Sequence, residues 1–136
     1  MSENAQKVLK AMKEAESYPG PSLIIAYSPC IAHGINGGLG NSHRQAKLAT
    51  ECGYWPIFRY DPRLIEEGKN PFMLDSREPQ WEKYHDFLLS ENRYQQLIQT
   101  NPTEAEALLH HNLKDAKRRW AMYKRYAAMD YATVIE

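Results

Sequence analysis

Two residue types in this chain are suited to holding a metal, and they fall close together. Cys30 and His33 stand three apart at the end of an apolar run, and His43 and Cys52 follow within the next twenty positions. A thiolate and an imidazole are both metal donors, so on spacing alone the four assemble into a two-cysteine, two-histidine zinc site, although the intervals between pairs are irregular. Cys30 also reads as a thiolate facing a cofactor, or as a packed apolar thiol. The cluster Gly34, Gly37, Gly38 and Gly40 behind it frees the backbone for close approach. It lacks the lysine of a P-loop and the spacing of a dinucleotide fingerprint. A helix N-terminus after such a turn can still receive an anion.

The element that must position Cys30 is the run before it. Residues 23–27 (LIIAY) show no apolar–polar alternation, which predicts a strand covered on both faces, as in a parallel sheet. Cys30 then lies just past the strand's carboxyl end, where open α/β sheets place ligands. A helix over residues 2–17, with Ser2 as its cap, precedes the strand across a YPGP turn. Ser42 with Gln45 predicts a capping box for a helix over residues 43–52, closed by Gly53. Residues 54–60 read as an edge strand because Pro56 cannot donate to a ladder. Residues 61–79, with three prolines, read as a long ordered loop. Short helices are expected at 81–89, with Trp81, Tyr84, Phe87 and Leu88 inward, and at 91–99. Thr103 with Glu106 predicts a second capping box. Leu109, Leu113, Ala116, Trp120, Tyr123 and Ala127 then form the seam of a helix of about 25 residues.

The predicted fold class is therefore α/β: a partial parallel sheet with a helical C-terminal extension. The expected division is 1–60 for the sheet-bearing part, 61–79 for the loop and 80–136 for the helices. One interior strand and one edge strand do not make a stable covered sheet, so the chain is expected to be a fragment or an obligate part of something larger, with Met1 an internal methionine. Charge is balanced, with 17 basic and 17 acidic residues, which gives no argument for nucleic acid or an anionic membrane. The basic residues of the last helix are interleaved with acids and read as a solvated face. No apolar run approaches the ~20 residues of a bilayer span. No secretory leader opens the chain, and two cysteines do not make a disulfide scaffold; a cytoplasmic location is expected.

Longer words carry a resemblance. They are YPGPSLIIAY from Tyr18 to Tyr27, C-I-x-x-G from Cys30 to Gly34, GYWP from Gly53 to Pro56, FRYDPRL from Phe58 to Leu64, GKNPF from Gly68 to Phe72, LDS from Leu74 to Ser76, and the closing MDY at Tyr131. Together they resemble the carboxyl-terminal end of the pyruvate:ferredoxin (flavodoxin) oxidoreductases, from about Ala5 to Tyr131. The resemblance implies a large cytosolic homodimer that cleaves pyruvate on thiamine diphosphate and Mg2+. Electrons pass through 4Fe–4S clusters to ferredoxin or flavodoxin, and the acetyl group passes to coenzyme A. It implies the last part of a thiamine-diphosphate-binding domain, with the rest of the parent enzyme as partner. It implies that Cys30 is the fourth thiolate of the cluster nearest the thiamine. The Gly34–Gly40 turn is expected to pack close to that cluster and the thiamine, and residues 61–79 and the terminal helices, from loop length and amphipathicity, are expected to wrap the rest of the enzyme or its dimer mate. The family's Gly-Asp-Gly motif for thiamine and magnesium does not occur here, nor does a cysteine cluster for the other three thiolates. Rival readings are a stand-alone module that binds a partner through the last helix, and a small zinc protein using Cys30, His33, His43 and Cys52.

Overall fold

The computed structural model describes residues 5–132; the expected cap Ser2 lies outside them. Helix α1 (Ala5–Ser17) comes first and buries no residue of its own. It is held to the body by arginines. Arg59 Nη1 donates to Glu14 Oε1 at 2.5 Å, and Arg63 Nη1 donates to the Ser17 carbonyl at 3.1 Å.

The predicted interior strand is not paired. Residues 21–30 run without regular structure, and Leu23, Ile24 and Ile25 are 83%, 52% and 69% exposed. A strand without alternation needs cover on both faces, and the described residues supply none. Their one sheet is a two-stranded antiparallel ladder of β1 (Phe58–Tyr60) and β2 (Phe72–Leu74), with Arg59 opposite Met73. The described residues are thus helices with a small antiparallel sheet, and a parallel sheet is absent among them. Residues 61–79 are not a plain loop either: they contain α3 (Arg63–Glu66) and β2, which folds back on β1. Two devices close the hairpin. The Asp61 amide donates to the Pro71 carbonyl at 3.0 Å, and Asn70 Oδ1 accepts from Phe72 N at 2.8 Å.

Helix α2 (Ser42–Glu51) starts where expected but is capped differently. Ser42 Oγ donates back to the Leu39 carbonyl. Gln45 is buried and bonded elsewhere, so it does not reach back to close a box. Gly53 ends the helix at φ 82, a conformation an L side chain rarely takes. A 3-10 turn over Trp81–Lys83 leads into α4 (Tyr84–Ser90), then α5 (Asn92–Thr100) and α6 (Pro102–Ala127). The last helix is capped by Asn101 rather than Thr103. Asn101 Oδ1 accepts from Glu104 N at 3.4 Å and its Nδ2 donates to Glu104 Oε2 at 2.9 Å. Pro102 lacks an N–H and has helical φ, so it takes the first helical position and moves the start forward.

The core lies where α2, α4 and α6 meet. Ala49, Cys52, Tyr84, Phe87, Leu88 and Ala116 are buried there, ringed by Tyr27, Tyr54, Trp55 and Trp81. The seam of α6 follows the expected spacing: Leu109 and Leu113 pack on this core, and Trp120 is buried. Further along, Tyr123 meets Phe58 and Phe72, with ring centroids 5.0 and 5.9 Å apart, which seats the hairpin on α6. Ala127 is exposed.

Candidate metal-ligand site

Pro29 is buried, and Cys30 opens a single helical turn closed by Gly34 N donating to the Cys30 carbonyl at 2.8 Å. Gly34 has φ 73, so a side chain there would strain the turn, and a Cβ would stand 3.3 Å from Asn92 Nδ2. Cys30 itself is half-exposed. Its Sγ lies 3.2 Å from His33 Nδ1. That hydrogen bond, followed by the backbone N–H groups of His33 and Ala32, draws the thiol down to about 7. Donors converging on sulfur favour its charged form. At neutral pH the turn thus presents a sulfur with substantial thiolate character, beside Ile31, which is 82% exposed.

The turn is pinned on both shoulders to the junction of α4 and α5. On the far side, Asn36 N donates to the Ser90 carbonyl at 2.8 Å, Ile35 bridges Glu91, and Asn92 Nδ2 donates to the His33 carbonyl at 2.8 Å. On the near side, Tyr27 OH donates to Glu91 Oε1 at 2.6 Å. Glu91 is fully buried. It also accepts from Gln45 Nε2 at 3.1 Å, and its Oε2 faces Arg93 Nε at 3.3 Å as an ion pair without an aligned hydrogen bond. Ser90 Oγ completes the set by donating to Gln45 Oε1 at 3.0 Å. Burial, then the Glu91 hydrogen bond, push the Tyr27 phenol far above its ordinary range, so Tyr27 remains a donor at any physiological pH.

No family model matches the chain. Individual proteins do. A pyruvate-flavodoxin oxidoreductase from Klebsiella pneumoniae is 50% identical over 127 residues, 93% of this chain and 11% of its own length. A pyruvate:ferredoxin oxidoreductase from Moorella thermoacetica matches to the same extent, 50% over 127 residues. The chain matches a segment of the pyruvate:flavodoxin/ferredoxin oxidoreductase family. A mitochondrial pyruvate dehydrogenase [NADP(+)] from Euglena gracilis is 42% identical over 122 residues, 90% of this chain. The chain spans 11% or less of the length of these relatives.

Against that match, the two-cysteine zinc reading is not supported. Cys52 is fully buried in the core and its Sγ donates to the Ala49 carbonyl at 3.6 Å. Burial drives its thiol up to about 11, the opposite of what a ligand needs. His43 lies exposed on α2. Among the described residues, no group of three or more histidine, cysteine or acidic side chains is placed to hold a metal. Cys30 and His33 are brought together; the other two are not. No helix among the described residues is long and apolar enough to cross a membrane.

Sequence reasoning missed Glu91, Asn92 and Tyr27. Tyr27 was assigned to the strand, Gln45 to a cap, and Glu91 to the start of a helix. Their partners lie 64 and 46 residues apart in the chain. The available signal was an acid sitting at a break between two apolar helices.

Proposed function

We propose that the chain is part of an oxidoreductase that converts pyruvate to acetyl-coenzyme A and delivers the electrons to ferredoxin or flavodoxin, and that Cys30 is its contribution to the electron path. The similarity to pyruvate oxidoreductases over 93% of the chain supports the activity. The observation that carries the site is the partly exposed Cys30, with its Sγ 3.2 Å from His33 Nδ1. A cysteine must be deprotonated to ligate, and the His33 hydrogen bond and nearby backbone N–H groups lower the cost of that step. When bound, a 4Fe–4S cluster supplies one-electron storage between substrate and acceptor. Cys30 holds one iron; Gly34 and Asn92 fix the turn that aims it; Tyr27 and Glu91 fix the chain on either side. The other three thiolates, thiamine diphosphate and Mg2+ belong to the rest of the enzyme in this reading.

The exposed apolar run fits the same picture. Residues 23–27 are the interior strand of a parallel, thiamine-binding sheet whose neighbouring strands come from the remainder of the polypeptide. The bare Leu23, Ile24 and Ile25 support this. In this reading residues 1–60 belong to that domain, 61–79 are the segment that wraps the rest of the enzyme or its dimer mate, and 80–136 belong to a C-terminal extension in a cytoplasmic homodimer.

The test is Cys30→Ser in the full-length enzyme. The thiamine-proximal cluster should be lost or damaged in iron content and electron paramagnetic resonance (EPR), electron flux should fall sharply, and pyruvate binding should persist. Full cluster content with undiminished flux would remove Cys30 from the path.

A further inference from the structure

We propose that His33 donates a hydrogen bond from Nδ1 to the metal-bound sulfur of Cys30 and thereby raises the reduction potential of the centre. This rests on the reading of Cys30 as a ligand. The two atoms are 3.2 Å apart. A thiolate offers only lone pairs, so the proton on that line belongs to the imidazole. The backbone that carries the ring is fixed from both ends. The His33 carbonyl accepts from Asn92 Nδ2 at 2.8 Å, and Gly34, the next residue, closes on the Cys30 carbonyl at 2.8 Å. Cys-x-x-His on one helical turn places Nδ1 over the sulfur three residues earlier, as i and i+3 side chains share a face.

A donor on a ligating sulfur withdraws charge from the iron–sulfur bond, which stabilises the more negative, reduced state. One electron enters and leaves the centre, supplied by the oxidation of the 2-oxoacid. No bond forms or breaks at His33, and its proton stays on Nδ1. His33 is thus a positioning residue that acts through Cys30.

The experiment uses the full-length enzyme and three variants. His33→Ala and His33→Leu remove the donor, the second while keeping bulk. His33→Asn places an amide N–H near the Nδ1 position. Iron content and the EPR-monitored midpoint potential of the proximal cluster are read in each. Donor-less variants with full iron should shift to a more negative potential, with His33→Asn returning most of the shift. If the donor-less variants lose iron and His33→Asn keeps it, the donor is confirmed as acting on this centre. An unmoved potential at full iron, or equal losses in all three variants, overturns the proposal. A Cys30→Ser enzyme that keeps all its iron and its electron flux would instead overturn the ligand reading beneath it, so the two failures are told apart.

Discussion

Residues 23–26 and the inward face of α4 are opposites. The first is an unbroken apolar run, and Leu23 and Ile25 stand 83% and 69% exposed. The second belongs to a helix that also carries His85, Asp86 and Ser90, yet its Tyr84, Phe87 and Leu88 are no more than 1% exposed. Composition alone would reverse the assignment. The difference is the partner: α4 lies against α2, α5 and α6, whereas the run before Cys30 has no described strand beside it. An exposed apolar stretch of this kind marks an interaction surface rather than an exception to hydrophobic burial.

The largest effects should break this comparison directly. Phe87 is fully buried, with the Tyr54 ring centroid 4.6 Å away. Phe87→Ala should cost about 3–5 kcal/mol, read as the shift of the thermal unfolding midpoint of the 136-residue chain. Ile25→Ala should change the unfolding free energy of the same chain by no more than about 0.5 kcal/mol. In the full-length enzyme the same Ile25→Ala should become a core substitution, costing about 2–5 kcal/mol. Equal small effects of Ile25→Ala in both settings would mean that nothing covers the run.

Next in size is the network that ties the two regions together. Glu91→Leu removes the acceptor for Tyr27 OH and Gln45 Nε2 and leaves Arg93 without its counter-ion. Stranded buried donors should cost about 1–3 kcal/mol in unfolding free energy. Tyr27→Phe deletes only one donor and should cost less. The double variant should fall short of the sum, because the phenol has nothing left to lose once Glu91 is gone. Strict additivity would show that the two do not share one network.

The same contrast explains what was legible beforehand. The last helix was readable because its seam repeats every three or four residues and its partners, α4 and α5, are close in the chain. Phe87 and Leu88 were placed inward for the same reason. The cap of α6 was read at Thr103 because a Ser/Thr box is the commoner pattern, while Pro102 decides the start. The β1–β2 hairpin was half-seen: its first strand is aromatic, but Phe72–Leu74 is only three residues long and hidden among prolines. The run at 23–27 was read as an interior strand because its pattern demands cover, and no cover is present among the described residues. Cys30 and His33 were adjacent enough to be noticed. Glu91 was not, since its role depends on groups from three separate segments.

The smallest expected change leaves the fold untouched and compares the two cysteines. His33 and backbone N–H donors lower the Cys30 thiol to about 7, whereas burial raises Cys52 to about 11. Iodoacetamide reacts with thiolate, so alkylation of Cys30 in the folded chain should be half-maximal near pH 7, while Cys52 should stay protected at every pH below unfolding. The linkage runs in opposite directions. The depressed Cys30 favours the folded state above its unfolded pKa, and this contribution fades as pH falls through about 7. The raised Cys52 favours folding below its unfolded pKa, and its contribution fades as pH rises through about 11. In denaturant both should titrate together near the ordinary thiol value of about 8.5. If Cys30 in the folded chain also titrates there, the turn does not prepare a thiolate, and the sulfur becomes a ligand only by the pull of the metal itself.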